Sequence, residues 1–143
     1  MKNTKKIFDI ETIIGRKSSI IEIREKLRAR LQDIYLSEEN LAKLEAFGFS
    51  RSEILMSRTP KEFISMASID VLQTFGFCPH FKNDTALAYM SIDYIIDNYS
   101  ELIRLGAKID YNLIFRNVPR ELGEYYAEKL VQKDFIESYY ATN

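Results

Sequence analysis

Residues 41–63, LAKLEAFGFSRSEILMSRTPKEF, decide how this chain folds. Gly48 closes a helix that Ser37 opens over EENLAKLEAF, because glycine takes the left-handed conformation past a helix end without a Cβ clash. Ser50 with Glu53 makes a capping box for RSEILMSR. Thr59, Pro60 and Glu62 stand in the order N-cap, N1 proline, N3 acid, and open a further helix over PKEFISMA. Three short helices follow one another, each punctuated by its own stop and start.

The same punctuation recurs along the chain. LQTFGFC ends at Cys78 and LIRLGAK at Lys108, so Gly48, Gly76 and Gly106 stand 28 and 30 residues apart. Each has apolar residues one and four places before it: Phe47 and Leu44, Phe75 and Leu72, Leu105 and Leu102. The first and third units match further, with Leu55, Arg58, Pro60 and Glu62 falling on Leu113, Arg116, Pro119 and Glu121 after one inserted residue. The middle unit departs, since Pro79 follows three residues after Gly76. Units of this kind bury their apolar faces by stacking. Over residues 41–66 and 99–122 the pattern resembles the helical repeats of mitochondrial transcription termination factors. That resemblance implies nucleic-acid binding along a basic concave face. The charge of residues 32–143 opposes it, with eleven Lys/Arg against seventeen Asp/Glu.

Elsewhere the expectation is also helical. Residues 18–36 place Ile20, Ile23 or Ile21, Leu27, Leu31 and Ile34 on one stripe, with Ser18 or Ser19 and Glu22 at the start. CPHFKND, residues 78–84, is the clearest loop and the expected boundary between two halves of a single domain spanning 1–143. TALAYMSIDYIIDNYSELIRL reads as one long helix, or two broken near Asn98–Ser100. Asp110 caps YNLIFRN, and Pro119 opens a last helix that Gly123 weakens. No strand alternation or hairpin dipeptide stands out. The expectation is an all-α bundle of about eight mostly short helices, with two or three irregular repeats of about 30 residues.

The totals narrow function by exclusion. The chain has 143 residues, 46% hydrophobic and 29% charged, with nine Tyr, nine Phe and no Trp. These values suit a globular core and argue against disorder. Cys78 is the single cysteine, so no intramolecular disulfide forms, which fits a reducing compartment. The basic start is interrupted by Asp9, Glu11 and Thr12, so it does not read as a signal peptide, and no apolar run approaches a membrane span. The expected location is cytoplasmic. Cys78 and His80 are too few for a zinc site and lack an orienting third group for catalysis. Asp93 and Asp97 lie one turn apart, as many solvated pairs do. No Walker loop, dinucleotide fingerprint or HExxH is present. The reading is therefore of a protein that is not an enzyme and carries no cofactor or metal.

Charge is unevenly spread. Residues 1–31 carry nine Lys/Arg against four Asp/Glu, a basic front of net +5 that continues into a basic N-terminal segment, 1–36. Tyrosines cluster in YMSIDYIIDNY and EYYAEKLVQKDFIESYY; tyrosine offers wide contact area at little entropic cost, which suits interfaces. The first functional expectation is a protein-binding module, an adaptor, accessory or inhibitor, contacting its partner through Arg24, Arg28, Tyr125, Tyr126, Tyr139 and Tyr140; a second copy of the chain is an allowed partner. The alternative is a helix-turn-helix DNA-binding regulator over residues 38–58. Gly48, Ser50 and Ile54 have the spacing of that turn, and Arg51, Ser52 and Arg58 would face bases and phosphates. Lys43, Leu44 and Ser57 depart from it.

Overall fold

The computed structural model describes Ile10, residues 19–109, Phe115 and residues 118–142, with side chains described as far as Asp134. The described residues form nine α-helices and three 3₁₀ turns. The helices are α1 (Ile20–Ala29), α2 (Glu38–Ala46), α3 (Arg51–Met56), α4 (Pro60–Ser65), α5 (Ile69–Thr74), α6 (Asn83–Ala86), α7 (Ile92–Asp97), α8 (Tyr99–Arg104) and α9 (Gly123–Thr142). The architecture is all-α, as expected. Its one sheet-like contact among the described residues is a single parallel bridge between Leu36 and Ala67.

Hydroxyl N-caps start most of these helices. Ser19, Ser37, Ser50, Thr59, Ser68 and Ser91 each accept a hydrogen bond from the backbone N–H three residues on. Ser19–Glu22, Ser50–Glu53 and Thr59–Glu62 are full capping boxes. Helices of six residues are far below the length that survives alone in water, so caps and tertiary packing must carry them. Helix α4 receives a second, long-range cap. Glu101 of α8 accepts the Lys61 backbone N–H at 2.9 Å. Glu101→Ala is expected to cost about 1 kcal/mol, the usual loss for a removed cap, and Glu101→Gln much less; urea unfolding measures both. Equal losses would mean that charge rather than the hydrogen bond matters there.

All three glycine stops have the same geometry. Gly48, Gly76 and Gly106 have φ of 94°, 87° and 102°. The residue after each glycine donates to the carbonyl of the leucine four places before it: Phe49 to Leu44, Phe77 to Leu72 and Ala107 to Leu102, at 3.1, 2.8 and 2.9 Å. Each glycine N–H reaches the carbonyl three places back, at 3.0–3.1 Å. These are three Schellman motifs, and the leucine and the residue after the glycine are the apolar pair that accompanies the motif.

The structure departs from the expected boundaries in three places. The helix expected over 18–36 ends at Ala29, followed by a 3₁₀ turn at Leu31–Asp33 and extended backbone at Ile34. Leu36 leaves the helical path to donate to Met66 O at 2.8 Å and to accept from Ser68 N at 3.0 Å. Ile23, Leu27, Leu31 and Ile34 of the expected stripe are buried, whereas Ile20 is exposed. The segment after the loop breaks at Met90–Ser91 as well as at Asn98, because Ser91 caps a new helix and its N–H meets Met56 Sδ. Pro119 leads into a 3₁₀ turn, Arg120–Leu122, and Gly123 is the first residue of α9 rather than an interior weak point. The helix expected after Asp110 lies outside the described residues.

The principal core gathers Leu27, Leu44, Ile54, Leu55, Phe63, Phe75 and Leu102, among others, from both sides of the 78–84 loop. Edge-on and tilted aromatic contacts link Phe63 to Phe75 and Phe77, Phe75 to Tyr89, and Phe77 to Phe81, with centroids 4.9–5.5 Å apart. A smaller cluster seats α9: Leu130 is buried against Ile96 and Tyr99, with Ile92, Ile109, Phe115 and Tyr126 around it.

Candidate functional site

Arg58 is the one buried charged residue among those described, 4% exposed. Its guanidinium donates to the carbonyls of Ile34 at 3.1 Å and of Leu31. Those carbonyls were released when the chain left the helical path after Ala29, and the planar fork of arginine collects both. Burial pulls the guanidinium down to about 10, with Glu62 and Asp33 opposing that shift, so it is charged at neutral pH. A concavity of about 310 Å³ beside it is lined by Met56, Ser57, Thr59, Glu62, Tyr94 and Asn98 as well. Tyr94 closes one side by donating to Arg58 O at 2.7 Å, and burial pushes its phenol well above the usual range. Arg58 therefore presents no free fork to a base or phosphate; its place among the nucleic-acid contacts is corrected to that of a structural strut.

Arg51 and Ser52 lie half-buried on α3. Arg51 Nε holds Glu45 Oε2 at 2.8 Å, and that contact raises its pKa further. Helix α3 is six residues long and shows one carboxylate, Glu53, at its exposed side. A recognition helix needs outward donors along a groove-length face. The described α3 offers an arginine already paired with Glu45, an acid, and Ile54 and Leu55 turned into the core.

The tyrosines divide. Tyr126 donates to Asp93 at 3.2 Å and packs into the α9 seat, and Tyr99 donates to Asp134 at 3.0 Å. Tyr126 is thereby committed to docking α9, where desolvation first and then the hydrogen bond to Asp93 raise its phenol pKa. Tyr125 is 50% exposed, edge-on to Tyr126, with Lys129 Nζ 4.9 Å from its ring centre. Tyr139 and Tyr140 lie on α9 beyond the described side chains.

Arg24 and Arg28 share an outer face of α1 with Ile21 and Glu25, at spacing i, i+3, i+4, i+7, around a concavity of about 250 Å³. This is opposite the buried Ile23 and Leu27. Ile20 and Ile21 are 67% and 70% exposed. Arg28 stands over the Phe49 ring, 5.1 Å from its centre, and meets Glu53 at 3.4 Å, a loose, half-exposed pair. Such pairs contribute between zero and about 1 kcal/mol. Arg24 lies over Gly48, with no hydrogen bond or ion pair among the described residues. The sequence reading placed Ile20, with Ile23 or Ile21, in the buried stripe. Periodicity gave no signal against Ile20: at 100° per residue it lies about 60° from Ile23 and about 20° from Leu27, and it is exposed as the first residue of α1.

The carboxylates here behave as caps. Hydrogen bonds to the Ser19 backbone N–H and hydroxyl hold Glu22 below the usual carboxylate range. The Ser50 backbone, with its hydroxyl, Arg28 and Arg24, does the same for Glu53. A folded-state pKa below the unfolded one gives stability that is full above about 4.5 and is lost as pH falls through the folded value. Urea midpoints measured from pH 6 to 3 are therefore expected to fall below about 4.5. The double variant Glu22→Gln, Glu53→Gln is expected to show a shallower fall. An unchanged slope would place the acid sensitivity in other carboxylates.

Among the described residues no helix is long and apolar enough to cross a membrane, and no group of three or more His, Cys, Asp or Glu could hold a metal ion. Comparison with protein-family models, curated proteins and solved structures found no match.

Proposed function

We propose that this chain is a non-catalytic protein-binding module whose docking surface is the outer face of α1. One observation carries the reading. Two adjacent isoleucines, each about two-thirds exposed, stand beside Arg24, which makes no hydrogen bond or ion pair among the described residues, and Arg28, which is loosely held. Exposed apolar residues rimmed by charge are the usual composition of a protein contact. Isoleucine anchors supply the desolvation, while the arginines set orientation and partner choice. The commitments of Arg58 and Arg51 to internal partners weigh against the helix-turn-helix alternative.

The test is affinity capture on wild-type chain and on Ile21→Ser with Arg24→Glu, with nuclease and at two salt concentrations. A discrete protein retained by wild type through nuclease treatment, and lost from the variant, is expected. Nucleic acid recovered at low salt and released at high salt would overturn the reading in favour of DNA or RNA.

A further inference from the structure

Helix α9 carries a second exposed face with the opposite charge. Glu121, just before it, and Glu124, Tyr125, Glu128 and Val131 within it, follow i, i+3, i+4, i+7 and i+10, the spacing of one helical stripe. All five are exposed, Val131 by 61%. Glu124 and Glu128 make no hydrogen bond or ion pair among the described residues. This stripe lies away from Tyr126 and Leu130, which seat α9 on the body. Each chain thus bears an Ile–Arg–Arg face on α1 and a Glu–Glu–Val face on α9, both open to solvent.

We propose that the α1 face docks on the α9 face of a second copy of this chain. This rests on the reading of the α1 face as a docking surface and names its occupant. Arg24 and Arg28 are four residues apart, as are Glu124 and Glu128. An antiparallel pairing brings Arg24 to Glu128 and Arg28 to Glu124. The same register sets Ile21 against Val131 and Glu25 against Ala127. The apolar residues meet at one end, and the acid on α1 faces a methyl group rather than a carboxylate. The contact joins unlike surfaces, so it propagates from copy to copy or closes into a ring. One helix face against another is a small interface, and rim ion pairs weaken as salt screens them. The association is accordingly weak and salt-sensitive.

The experiment is sedimentation velocity on the full chain from about 10 μM to about 1 mM, at about 20 mM and about 500 mM salt. The wild type is expected to sediment faster as concentration rises at low salt and to lose that rise at high salt. Two double variants test the pairing: Arg24→Glu with Arg28→Glu, and Glu124→Lys with Glu128→Lys. Each alone is expected to remain monomeric, because α1 and α9 then carry like charges. Mixed, they are expected to associate again, because the two altered faces form reversed pairs and the two unaltered faces form the original ones. Ile21→Ser serves as a variant that leaves every charge in place, and it too is expected to lose association. Circular dichroism melts confirm that each variant is folded. A wild type that stays monomeric throughout overturns the proposal, as does association that survives either charge reversal or is not restored by mixing. Should the wild type stay monomeric while Ile21→Ser still loses a captured protein, the docking surface stands and the second copy falls as its occupant.

Discussion

Gly76→Ala is expected to destabilise the chain by about 3 kcal/mol, the largest loss of the three glycine stops. Two effects add. Gly76 has φ of 87°, where a side chain raises the backbone energy. A Cβ there would also stand 2.9 Å from Thr85 Cβ and 3.0 Å from the Ala86 backbone nitrogen. The second neighbour is backbone, and the Gly76 carbonyl is itself tied to Lys82 N at 2.7 Å, so the turn cannot open without losing that bond. Gly106, at φ 102°, has nothing within 4 Å of the same position. Gly106→Ala therefore carries only the backbone term, about 1 kcal/mol. Gly48→Ala falls close to it, since the atoms nearest a Cβ there belong to the flexible Arg24 side chain at 3.6 Å. Urea unfolding of the three variants checks the ranking. Three equal losses would mean that the close approach of residues 85 and 86 relaxes freely.

Arg58→Met is expected to cost about 3 kcal/mol, because it takes the guanidinium from two buried carbonyls, leaving that of Leu31 with only the long 3.3 Å bond from Ile34 N–H. Methionine nearly fills the volume, so the loss reports hydrogen bonding rather than a cavity. Both bonds from Arg58 to the Leu31 and Ile34 carbonyls are buried. Removing the cation also ends its attraction to Glu62 and Asp33, whose charges support it. Arg58→Lys keeps the charge but not the fork, and an ammonium on that stem reaches one carbonyl at best; about half the loss is expected. Calorimetric or urea unfolding of both variants decides the matter. A methionine variant within about 0.5 kcal/mol of wild type would show that the two carbonyls find other partners.

These two predictions concern residues that the sequence treats differently. Gly76 was legible as a helix stop, since a glycine after LQTF at the end of an apolar run has few other uses. That it is also the most crowded of the three was not legible, because Thr85 and Ala86 arrive from across the 78–84 loop. Arg58 was read as an outward contact on a short helix. Nothing local marks it as buried; it is drawn inward by two carbonyls 24 and 27 residues earlier.

The same division runs through the candidate site. Arg24 and Arg28 were named from the sequence only as contact residues, and the structure places them together around one concavity on α1. The tyrosines were legible only as a cluster. Tyr126 and Tyr125 are adjacent in sequence but a helical step of 100° apart, so Tyr126 docks α9 through Asp93 and Tyr125 faces outward. Choosing between them requires knowing where α7 lies.

By itself the sequence determined the helical class, the caps at Ser37, Ser50 and Thr59, and all three left-handed glycines. Each of these is decided within a span of about six residues, by orphan donors, orphan carbonyls and backbone sterics. Only the tertiary structure decided where α1 ends, that Arg58 is a strut, that the 83–104 segment is three helices, and which isoleucines and tyrosines reach solvent. Those outcomes turn on carbonyls, aromatic rings and carboxylates brought together from positions 24 to 40 residues apart. A local pattern supplies the donor or the apolar face, and the partner that claims it comes from elsewhere in the fold.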